Sequence, residues 1–133
     1  MNFGYPFLDE ATELSGDLEE SFVAAFNAED KRPREDYVDY FQEVPVVSNK
    51  PIASIEVHNA ALCGGIVARI SYPCQALPNF GIWRAFQSGA YALALEPMRR
   101  QQIEAEERRG LGILAPGATA AYWFELQLGS IPR

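Results

Sequence analysis

LPNFGIWRAFQSGAYALALEP, residues 77–97, is the segment whose alternation decides the fold. Bulky residues recur at every second position, which predicts two strands joined by a short turn ahead of Ala90. In the second strand Tyr91, Leu93 and Leu95 share one face, while Ala90, Ala92, Ala94 and Glu96 share the other. The strand is expected to stop at Pro97, which has no backbone donor for a ladder. A floor of methyl groups leaves room above a sheet, and Glu96 closes that floor. Glu96 is therefore the candidate general base toward a small polar ligand, since partial burial would bring a carboxyl pKa closer to neutrality. A solvated turn carboxylate, or one paired with Arg99 or Arg100, fits the same residues. In the first strand Trp83 shares a face with Asn79 and Gly81, and Arg84 points the other way. The Trp83 ring suits either stacking on the apolar face of a sugar or packing in a core.

Outward from this pair, residues 54–59 (SIEVHN) and 66–72 (IVARISY) alternate well and read as a hairpin turning at Gly64 and Gly65. Residues 121–128 (AYWFELQL) form the clearest strand, with Tyr122, Phe124, Leu126 and Leu128 on one face and Trp123 assigned to packing. Residues 13–20 read as an acidic turn, 21–27 (SFVAAFN) as a short apolar strand, and 35–42 (EDYVDYFQ) as two helical turns. Residues 44–51 hold too many prolines for a central strand and are expected to follow an edge. Residues 98–109 (MRRQQIEAEERR) have the composition of an exposed helix closed by Gly110, followed by a short strand at 111–114. The sum is about seven mostly antiparallel strands with one or two short helices, an all-β antiparallel β-sandwich.

The 133 residues suffice for a single domain, residues 1–133, with its own core. A formal net charge of −7, with basic residues clustered only at 99–109, argues against nucleic acid and against an anionic membrane. No apolar run approaches the length of a membrane span and no export signal opens the chain, so the expected location is cytoplasmic. The two cysteines, Cys63 and Cys74, are then expected as free buried thiols. No glycine loop of phosphate-binding spacing is present and no cofactor is implied. One histidine, His58, cannot build a multi-imidazole metal site, so no metal is expected. A serine or cysteine triad would have to use that same imidazole, which lies in mid-strand on a polar face.

Four patches stand in order along the chain: NFGYPFL at residues 2–8, LPNFGIW at 77–83, YALALEP at 91–97, and LAPG at 114–117 ahead of a terminal strand. Together they resemble the carboxyl-terminal half of the aldose 1-epimerase (galactose mutarotase-like) superfamily, in particular its divergent epimerase-like branch. The resemblance covers nearly the whole chain. It implies part of a β-supersandwich that binds a monosaccharide or sugar derivative on its concave sheet. It further implies that a glutamate removes the proton of the anomeric hydroxyl while a histidine protonates the ring oxygen. Glu96 matches that glutamate, and Trp83, Asn79 and Asn2 fall where ligand contacts are expected. The matching histidine would lie just ahead of Met1 and is absent from this sequence. Met98 and Ala118 also depart from the polar residues usual in relatives. A complete domain of this kind runs to about 200–250 residues. The expectation is therefore the carboxyl-terminal portion of a larger sandwich, its remainder lost to a late start codon or gene truncation, or supplied by self-association or a partner. Under this resemblance the function is anomer interconversion by acid–base ring opening, or non-catalytic sugar binding by a β-sandwich module.

Overall fold

A computed structural model of the protein describes residues 12–61, 64–99 and 114–131. Among the described residues seven strands form two antiparallel sheets, and one helix packs beside them: β1 (Thr12–Gly16), α1 (Glu20–Ala28), β2 (Tyr40–Pro45), β3 (Ile52–Asn59), β4 (Ile66–Pro73), β5 (Asn79–Gln87), β6 (Ala90–Met98) and β7 (Glu125–Ser130). One sheet has the order β1-β3-β4-β7 and the other β2-β5-β6. The all-β sandwich read from the sequence is the observed architecture.

Both expected hairpins are present. β3 pairs with β4 from Ile52 opposite Pro73 to Asn59 opposite Ile66, and β5 pairs with β6 from Asn79 opposite Met98 to Gln87 opposite Ala90. The β5–β6 connection is the two residues Ser88 and Gly89, and Gly89 has φ +82°, a conformation that costs little only without a Cβ. Between the sheets lie Leu14, Ala53, Ile55, Ile70 and Tyr72 from one side and Val44, Phe80 and Ile82 from the other, with Leu93 and Leu95 packed against them. Tyr72 and Phe80 stack across the interface at 6.4 Å between ring centroids. Strands β1 and β3–β6 present alternate residues to this shared interior, whereas all six residues of β7 are exposed.

Several local expectations are corrected. Residues 21–27 lie in α1, not in a strand, because Phe22 and Phe26, four residues apart, are buried together while Ala24 and Ala25 face out. A short apolar run carries both periods, so its alternation alone could not choose. The Asn27 amide then ties the helix to β1: it accepts from Leu14 N at 2.7 Å and donates to Leu14 O at 3.0 Å. Residues 13–16 are strand, paired with β3, and not part of a turn. No helix forms at 35–42; Tyr37 is buried but Val38 is 77% exposed, and Phe41 pairs with Trp83 in β2. Cross-strand pairing overrides the local helical pattern there. Val44 and Pro45 do end an edge strand, as expected.

Pro97 does not end β6. It is accommodated within the strand opposite Phe80, because β6 borders its sheet and a missing donor is tolerated at a border. β7 begins at Glu125, later than expected, and Trp123 is 48% exposed instead of packed. Leu114 is outside any strand. Residues 100–113 and Cys63 lie outside the described residues, as does the patch at 2–8. Cys74 is a half-buried free thiol directed at Lys50 O. Among the described residues no helix is long and apolar enough to cross a membrane.

Candidate functional site

The outward face of the three-stranded sheet carries the predicted site residues that the structure describes. Register aligns them in rows across the strands: Phe41–Trp83–Ala94, then Glu43–Gly81–Glu96, then Pro45–Asn79–Met98. Glu96, Trp83 and Asn79 therefore share one face, as alternation predicts. Asn2 lies outside the described residues. The central row is the informative one, since two carboxylates flank a residue with no side chain. Gly81 is buried, and a Cβ built on it would fall inside the Phe41 ring and press on the Met98 sulfur at 3.0 Å. The glycine thus lets the end of the Phe41 ring reach over it, in the row that Glu43 and Glu96 flank. Trp83 Nε1 donates to Asp39 Oδ2 at 3.0 Å, which fixes the indole beside that ring. The result is a pair of aromatic side chains bordered by carboxylates and one amide.

Glu96 itself is exposed, while Trp83, Asn79, Phe41 and Glu43 are half-buried. Among the described residues no ion pair or hydrogen bond involves the Glu96 carboxylate. Arg99, one of its two expected cationic partners, lies over the Tyr122 ring at 5.8 Å, and Arg100 is outside the described residues. The methyl floor beside Glu96 is present at Ala92 and Ala94, both half-buried.

His58 sits on the outward face of the other sheet. Its Nε2 is 2.9 Å from Ser15 Oγ and 3.5 Å from Glu56 Oε2, and Glu56 also pairs with Arg69. Serine, histidine and carboxylate are thus together, but both neighbours meet the same ring nitrogen. A relay needs the acid on Nδ1 and the nucleophile on Nε2. This cluster cross-links β1, β3 and β4 and does not form a triad.

An open cleft of about 360 Å³ lies on the opposite side of β5 from Trp83, between α1 and β2. Phe22 and Phe26 line one part of it, and Glu29, Tyr40, Gln42 and Arg84 another. Arg84, at a core position of β5, is 2% exposed and forms an ion pair with Glu29. Tyr40 Oη donates to Glu29 Oε1 at 3.3 Å, and burial pushes the Tyr40 phenol above its ordinary pKa. Sequence reasoning placed Arg84 opposite Trp83 and went no further. The available signal was a cation within the buried series Phe80, Ile82, Arg84, Phe86, where a charge requires a partner.

A family model described as a domain of unknown function (DUF4432) matches residues 1–128. No curated protein and no solved structure matches the chain.

Proposed function

Given that the chain belongs to the DUF4432 family, whose function is unknown, we propose that its three-stranded sheet is a carbohydrate-binding face of aldose 1-epimerase-like type. The observation that carries this reading is the set of rows around Gly81. A pyranose offers an apolar ring face and a rim of hydroxyls. Trp83 and Phe41 supply flat apolar surface for the first, and Glu43, Glu96 and Asn79 supply acceptors and an amide for the second.

On this reading Glu96 takes the proton from the anomeric hydroxyl. The bond between the anomeric carbon and the ring oxygen breaks as the carbonyl forms, and a general acid protonates the departing ring oxygen. Rotation and reclosure give either anomer. His58 is not that acid, since it lies on the far side of the sandwich, and two packed sheets are about 10 Å apart.

The exposure of Glu96 favours a second reading, non-catalytic sugar binding, in which that carboxylate only accepts hydrogen bonds from hydroxyls. Anomer exchange of glucose and galactose, followed by NMR with the full chain, separates the two. Catalysed exchange that Glu96→Gln abolishes supports the enzyme. Saturable quenching of Trp83 fluorescence by sugar in a Trp123→Phe background, without exchange, supports the binding module. Neither signal with either sugar or with their 6-phosphates removes the carbohydrate reading.

A further inference from the structure

The packing of the protein does not account for Arg84. Its side chain is 3% exposed, with the guanidinium held between two rings, Cζ lying 5.0 Å from the Phe26 centroid and 4.6 Å from that of Tyr40. Nε is 2.9 Å from Glu29 Oε2, an ion pair without hydrogen-bond geometry, and among the described residues no acceptor meets Nη1. A buried guanidinium ordinarily satisfies its donors, and leaving one bare costs the desolvation of that group. A second buried cation stands close by. Lys31, 2% exposed, places Nζ 4.9 Å from the same Phe26 ring and donates to Asn27 O and Glu29 O, both neutral carbonyls. Burial pulls its pKa down, and the Arg84 charge adds to that effect while Glu29 opposes it, with smaller contributions from Glu13 and Asp30. Two buried cations therefore stand beside an open cleft, and among the described residues only Arg84 pairs directly with the Glu29 carboxylate.

We propose that this cleft binds a small amphiphilic carboxylate, such as an aromatic or short aliphatic acid. Its carboxylate meets the part of the Arg84 guanidinium that lines the cleft, and its apolar body lies on Phe22 and Phe26. A carboxylate accepts strongly from a guanidinium, and one added negative charge offsets part of the local positive charge. A phosphate dianion would overcompensate it and face Glu29 without using the apolar wall. The volume suits a ring-sized body. The site lies on the inner side of the sheet that carries Trp83, apart from the outer face.

Sodium benzoate titrated into the full chain, followed by NMR of the Arg84 Nε–H and of the α1 amides, tests the assignment, with sodium phosphate as the comparison arm. The expected result is saturable benzoate binding that phosphate does not reproduce. Ala25→Trp fills the cleft from an exposed helix position while leaving Phe22 and Phe26 in place, and should abolish saturation. Replacing the pair together, Arg84→Met with Glu29→Gln, removes one cation with one anion and should weaken benzoate roughly tenfold or more. Absence of saturation, equal binding of phosphate, or undiminished affinity in Ala25→Trp would each overturn the proposal.

Discussion

Alternate residues of β5 make two faces that behave as different materials. Phe80, Ile82, Arg84 and Phe86 are buried, and three of the four are held by interdigitating side chains from the other sheet, α1 or the 31–39 segment. Asn79, Trp83 and Gln87, one residue out of phase, remain half-open to water. Both faces contain aromatics, so hydrophobicity alone does not separate them. What separates them is what stands opposite. The inner face meets the rings of Tyr72, Phe26 and Tyr37, whereas among the described residues the outer face meets its sheet neighbours Phe41, Ala94 and Glu96 and makes hydrogen bonds to Asp39 and to Tyr37 O. An apolar surface built without an opposing layer has room for a ligand, and one with such a layer supplies stability.

Substitutions on each face can break that contrast. Phe80→Ala, at a position with no solvent exposure, should cost about 3–5 kcal/mol in urea unfolding. Trp83→Ala, on the outer face, should cost well under half as much, and equal losses would show that the outer face is core as well. Gly81→Ala should cost about 1–3 kcal/mol by driving a methyl into the Phe41 ring. Adding Phe41→Ala in that background should recover part of the loss, which a backbone effect at Gly81 would not permit.

Tyr72→Phe sharpens the account of the interior. Its hydroxyl is buried without a partner among the described residues, so removing it should stabilise by up to about 1 kcal/mol. Burial also pushes the phenols of Tyr72, Tyr37 and Tyr40 above their ordinary value. The folded state then binds the extra proton, so stability holds below pH about 10 and falls as the pH rises beyond it. Lys31, depressed by burial, has the opposite sign: its contribution grows more favourable as the pH rises toward the ordinary lysine value. The alkaline loss should be shallower in Tyr72→Phe. The smallest stability effect belongs to Glu96→Gln, within about 0.5 kcal/mol in urea unfolding for an exposed side chain.

The sequence exposed most of what depends on neighbours along the chain. Both hairpins, and the separation of Glu96, Trp83 and Asn79 from Leu95 and Arg84, follow from alternation across short turns. Pairings between distant segments were not legible. That β2 lies beside β5, and so brings Glu43 and Phe41 against Gly81, is a tertiary choice that the 35–42 pattern conceals behind an apparent helical stripe. The Arg84 cleft was hidden for a related reason. Its opposite wall is α1, and a seven-residue apolar run with two phenylalanines satisfies either period.

The borders of the two sheets are finished differently, and this governs how the protein meets another copy of itself. On the four-stranded sheet the Asn27 amide occupies the main-chain groups of Leu14 along one border, while Leu126 and Leu128 on β7 stay 59% and 73% exposed at the other. Pro45 and Pro97 interrupt the donor rows on both borders of the second sheet. Among the described residues the β7 border is therefore the least protected of the four. Two copies joined edge to edge at β7 would each cover that border in the other, so an association of this kind would close as a pair.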